Sequence, residues 1–148
     1  MKKISLISLF ICVVLTMSGQ QQKMSHFFKQ MPDSLMPYLT TNNRLDMIDF
    51  REAGMKAEVC NLLDGQSEMT YLSEDSLCIR MSDALQVEMK LMPGDSLVIC
   101  VMKTYIHEKS QKEKVMSYYS PDWQLIKSYI ELSSLLKRDE ELFDNKEN

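Results

Sequence analysis

In residues 85–91, LQVEMKL, every second residue is apolar: Leu85, Val87, Met89 and Leu91 alternate with Gln86, Glu88 and Lys90. A period of two is that of a β-strand with one buried and one wetted face, and this period dominates the middle of the chain. Residues 55–62, MKAEVCNL, place Met55, Ala57, Val59 and Asn61 on one side. Segments 67–72 and 75–81 follow, separated by a connection as short as a hairpin turn. Pro93-Gly94-Asp95 carries proline and glycine where a type II turn favours them. The run 96–105, SLVICVMKTY, is almost continuously apolar, as in a central strand, and the polar HEKSQKEK after it reads as a solvated loop. Segments 114–119 and 123–129 form a last hairpin around Ser120-Pro121-Asp122. Strands this short and this regularly spaced, with no helices between them, predict an antiparallel meander of about six or seven strands.

On either side of this region the period is helical. Met24, Phe27, Phe28 and Met31 recur at steps of three and four, an amphipathic helix that Pro32 ends. Asp33 or Ser34 caps a short turn that Pro37 closes. The cluster Thr40-Thr41-Asn42-Asn43 starts the next helix. With Asn43 at the N-cap, Asp46 falls at the third helical position, an aspartate variant of the capping box. From Ser128 onward Tyr129, Leu132, Leu136 and Phe143 line one side of a C-terminal helix. The expected architecture is therefore α+β: N-terminal helices packed on one face of the meander, with a helix at the C-terminal end.

Residues 1–19 have the layout of an export signal, with Lys2 and Lys3 ahead of the apolar run Ile4–Met17 and small residues at Ser18 and Gly19. Cleavage after Ser18 or after Gly19 both fit. Cys12 lies inside the apolar run rather than just past a small residue, which argues against a lipid anchor. The expected organisation is a signal at 1–19, one domain over 20–143 and a frayed acidic tail at 144–148, in the periplasm or outside the cell. Without the signal, 15 basic residues face 21 acidic ones, a net charge of about −6. That balance excludes nucleic acid as a partner, because phosphate contacts need clustered Lys and Arg. No second apolar run approaches the length of a membrane span.

Asp46 and Asp49 are three apart on one helical face and, with Glu52, could present carboxylates to a substrate or metal. Phe50 and Leu45 flank them, so the acids interrupt an apolar surface and could mark a partner-facing edge. The competing reading is helix initiation, since acids near a helix start interact well with its free amides. His26 and His107 are the only histidines. An enzyme reading would have to assemble Asp46, Asp49 and His107 from distant positions. Serine-nucleophile elbows and phosphate-cradling glycine loops are both missing from the sequence. Tyr118, Tyr119 and Trp123 near the last hairpin could stack on a sugar or peptide, or pair across strands. Cys60, Cys78 and Cys100 remain after processing, none in a C-x-x-C pair. Buried thiols and a single disulfide between two of them both stay open. The methionines are spread at core-like positions rather than bunched for copper, and no cofactor is expected.

MPDSLMPYLTTNNRLDMIDF, GMKAEVCNLLDGQSEMTYLSEDSL, VEMKLMP and YYSPDWQLI occur in this order over residues 24–127. In sequence and spacing they resemble secreted Bacteroidetes proteins described only as a domain of unknown function. The resemblance implies export, an α+β domain and no catalytic residues to carry over. Members continue beyond the Asp-Trp hairpin into a second half, whereas this chain turns to SYIELSSLLKRDEELFDNKEN. That implies a short or truncated member. Residues 105–115 also lack the family's cysteine and proline pattern. The function expected from all of this is a non-catalytic binding or interaction module with a protein or glycan partner, Asp46, Asp49, Phe50, Tyr119 and Trp123 being its candidate contacts. The alternatives are the distant-residue enzyme and a truncated fold that requires a partner chain.

Overall fold

The computed structural model describes residues 23–107 and 112–132. The expected export signal, most of the expected C-terminal helix and the expected acidic tail lie outside the described residues. Helix α1 spans Met24–Gln30, a 3-10 turn spans Asp33–Leu35, and helix α2 spans Thr41–Glu52. Seven strands follow: β1 Ala57–Cys60, β2 Gln66–Leu72, β3 Ser76–Ser82, β4 Leu85–Met92, β5 Val98–Ile106, β6 Lys112–Tyr119 and β7 Leu125–Leu132. They form one sheet in chain order with every neighbouring pair antiparallel. The meander predicted from the period-two pattern is the observed topology.

Alternation decides which face is buried. The register aligns Ala57 with Met69, Met69 with Ile79 and Ile79 with Val87, while Met89 and Leu91 face Val101 and Ile99. All of these are buried, in one cluster with Met24, Phe27 and Phe28 of α1 and Met47 and Ile48 of α2. Both helices therefore lie on one face of the sheet. Burying this apolar surface stabilises the fold by roughly 25 cal/mol per Å² removed from water. The turn between β1 and β2 is built on buried Asn61. Its Nδ2 donates to Ser67 Oγ at 2.9 Å, and its Oδ1 accepts from the amides of Leu63 and Gly65 at 2.9 and 3.1 Å.

Helix α2 begins three residues earlier than Asn43 would place it. Thr40 is the N-cap: its Oγ1 accepts from the Asn43 amide at 3.1 Å, and Asn43 Oδ1 accepts from the Thr40 amide at 3.0 Å. This reciprocal capping box puts Asp46 in the second turn and leaves the first turn without an acid, so Asp46 does not start the helix. Arg44 lies buried on the same helix as Met47 and Ile48. Gly54 ends the helix at φ +71°, with the Met55 amide donating to Phe50 O at 2.8 Å, a Schellman closure in which glycine is unstrained.

Residues 128–132, expected to open a C-terminal helix, are strand. They continue β7, which pairs with β6 from Tyr118 opposite Lys127 to Glu113 opposite Leu132. The apolar spacing of this segment suits either structure, and the free edge of β6 selects the strand. Strand β6 likewise begins at Lys112, inside the segment read as loop.

Candidate functional site

With both helices on one face, the other face of the sheet is open, and its cross-strand register orders the side chains in rows. The central row runs Tyr71, Cys78, Glu88, Met102, Met116, Tyr129 across β2 to β7. Beside it, Ser76, Lys90, Cys100, Tyr118 and Lys127 form a second row. On the other flank a polar row runs Glu68, Arg80, Gln86, Thr104, Lys114, Glu131. Arg80 pairs with Glu68 at 2.7 Å there, and Gln86 donates to Glu88 at 2.8 Å, joining the polar row to the central one. The open face thus carries a stripe of apolar and aromatic side chains over β5 to β7, with Glu88 and Lys90 interrupting them on β4 and further charges at the margins.

The Tyr118 and Tyr129 rings meet edge-on at 6.2 Å, and Lys127 Nζ lies 4.7 and 5.5 Å from their centroids. Met102 and Met116 are direct cross-strand neighbours, each half-buried. Burial pushes the Cys100 thiol above its ordinary pKa, a hydrogen bond with Tyr118 acting the other way, so the thiol is protonated at neutral pH. Flexible thioethers and ring faces over which no described helix packs suit adaptable contact with another surface.

The three cysteines among the described residues, Cys60, Cys78 and Cys100, are free thiols. Cys60 is exposed and Cys78 and Cys100 are half-buried, so none is the fully buried apolar residue that their surroundings in sequence suggested. Cys78 and Cys100 lie on β3 and β5 with β4 between them.

The residues singled out from sequence fall in three separate places. Asp46 and Asp49 are exposed on α2, which packs over β1 and β2. Phe50 is half-buried against the core from the same helix. Tyr119 and Trp123 come together, ring centroids 5.6 Å apart, at the β6–β7 turn. Trp123 is 7% exposed, with Nε1 donating to Phe27 O at 3.2 Å. It ties the last hairpin to α1 and is not a stacking platform. His107 follows β5 and lies 3.8 Å from Glu113. At about 4.8 Å per strand, β5 is roughly 14 Å from β2, so the sheet does not assemble Asp46, Asp49 and His107 into one site. Among the described residues no cluster of three His, Cys, Asp or Glu side chains could hold a metal ion, and no described helix is long and apolar enough to cross a membrane.

Sequence reasoning missed the stripe, although a signal was present. The nearly unbroken apolar run of β5 requires apolar residues on both faces of the sheet. Ile99 and Val101 enter the core, and Cys100 and Met102 face outward.

Among the described residues, fold and surface define an α+β domain in which a seven-stranded meander carries helices on one face and, on the other, a partly exposed row of methionine, tyrosine and cysteine side chains broken by Glu88. The chain belongs to the family described as "Protein of unknown function (DUF3256)", whose model matches residues 15–143. It is also similar to the solved structure of a domain of an uncharacterized protein from Porphyromonas gingivalis W83, with 27% identity and a TM-score of 0.59 over 70% of this chain and 53% of that one. The chain thus spans about half the length of that neighbour. No curated protein matches it.

Proposed function

We propose that this chain is an exported, non-catalytic binding module of the periplasm or cell surface, and that it presents the open face of its sheet to a protein or glycan partner. The observation that carries the reading is the Tyr71 to Tyr129 row: Tyr71 and Tyr129 are 51% and 53% exposed at its ends, and Met102 and Met116 are half-buried between them. Glu88 breaks the row on β4, and beyond it Met102, Met116, Tyr118 and Tyr129 form an apolar and aromatic patch over β5 to β7 of the kind that marks interaction sites. The layout of residues 1–19 supports export, and the Porphyromonas neighbour agrees with a Bacteroidetes origin. The test is binding of residues 20–148 to envelope proteins and glycans, comparing Met102→Ser/Tyr129→Ser with Asp46→Ala/Asp49→Ala. Loss of binding in the first variant alone supports the open face. Loss in the second alone moves the contact to α2. Turnover of a substrate that depends on Asp46 or Asp49 would refute a non-catalytic role.

A second reading, a sheet completed by another chain, is favoured by β7, where Leu125, Ile126, Tyr129 and Ile130 are between 53% and 66% exposed. Apolar residues on both faces are the composition of an interior strand.

A further inference from the structure

The outer edge of β7 has no partner among the described residues, since β7 pairs only with β6. The two ends of the sheet differ. Strand β1 is four residues long and is packed by α2, whereas β7 is eight residues long and lies beyond both helices. A long apolar edge with free amides and carbonyls is a template for another strand. What kind of strand fits can be read from its charges. Lys127 and Glu131 sit two residues either side of Tyr129, and all three point to the open face. Both charged residues are exposed, and among the described residues neither is in a salt bridge.

Antiparallel pairing of β7 with itself, centred on Tyr129, sets Tyr129 opposite Tyr129 of a second copy. It also sets each Lys127 opposite the other copy's Glu131, twice over, as two-fold symmetry requires. Glu131 would then lie between Lys114 of its own sheet, its partner in register, and the incoming lysine. On the helix side, Ile130 would approach its symmetry mate diagonally across the two-fold axis and lose much of its 66% exposure. A register slip of one residue would put each lysine and glutamate opposite uncharged side chains. We infer that the chain forms a two-fold dimer by β7-to-β7 edge pairing in the register centred on Tyr129, joining two meanders into one sheet.

This inference rests on the second reading above and names its partner chain as another copy. The test is sedimentation equilibrium of residues 20–148, wild type against Lys127→Glu, Glu131→Lys and the double swap, with hydrogen exchange of the β7 amides. The expected result is a wild-type dimer, roughly tenfold or more weaker in each single variant because like charges then face each other twice, and restored in the swap. Singles that dimerise like wild type, or a swap that stays monomeric, overturn the register and with it the inference. A wild-type monomer with fast-exchanging outer β7 amides overturns the dimer and leaves the edge open to a different chain. A wild-type monomer with protected outer amides overturns both, because the chain then covers its own edge.

Discussion

Arg44 is buried to 1% exposure at the centre of the N-terminal region, and replacing it is the sharpest test of how the helices are held. Its guanidinium joins three segments. Nη1 donates to Leu39 O at 3.0 Å and pairs with Asp33 Oδ1 at 2.8 Å, while Nη2 donates to Met31 O at 2.7 Å and to Thr41 Oγ1 at 3.2 Å. Nε has no partner. Arg44→Met keeps most of the buried stem but strips the Leu39 and Met31 carbonyls of their donors, each costing about 1–3 kcal/mol if left unsatisfied. Removing a buried charge and the orphaned Nε offsets part of that, because desolvating a guanidinium is itself unfavourable. Asp33 is mostly exposed and regains water, so its loss adds little. The net expectation is destabilisation by about 3 kcal/mol, a large share of the 5–15 kcal/mol typical of a domain. Urea unfolding followed by fluorescence reads it directly, since Trp123 is the only tryptophan and hydrogen-bonds to α1. The midpoint should fall with little change in slope. Arg44→Lys should fall between the two, because one ammonium cannot span the same acceptors. A methionine variant as stable as wild type or more so would refute the reasoning and make Arg44 a tolerated burden rather than a joint.

Three further outcomes are expected. Asn61→Ala should cost about 2 kcal/mol in urea unfolding, because two turn amides and Ser67 lose a buried partner. Trp123→Phe should cost about 1–2 kcal/mol by removing the bond to Phe27 O, and Trp123→Ala about 3–5 kcal/mol by emptying the site, read by far-UV circular dichroism during thermal unfolding. Lys103 Nζ donates to Leu35 O at 3.1 Å, in a cleft of about 100 Å³ lined by Tyr38, Leu85 and Tyr105, and burial holds its ammonium below the usual lysine range. The folded state thus binds this proton less tightly than the unfolded chain. Lys103 should therefore contribute a rise in stability with pH between that lowered value and the ordinary 10.5, opposed above 9.0 by the raised Cys100 thiol, so the stability of wild type relative to Lys103→Met should climb across that window in urea titrations.

Alternation along 85–91 determined that strand and its two faces from the sequence alone, because pleating gives each side chain its face without reference to a partner. The steps of three and four from Met24 to Met31 and the proline stop likewise placed the first helix. Competing local signals needed the tertiary structure. Thr40 and Asn43 can each cap a helix, and the inward packing of Arg44, Met47 and Ile48 selects Thr40. Ser128–Leu132 suits helix or strand, and the edge of β6 makes it strand. Trp123 looked like a surface aromatic until α1, far away in sequence, supplied the carbonyl that receives its N–H. The open stripe was the least legible feature. Tyr71, Met102, Met116 and Tyr129 lie tens of residues apart, and only the register of seven strands lines them up. The sequence determined which residues face which way along each strand. The tertiary structure decided which strands are neighbours, and so which outward residues form one surface.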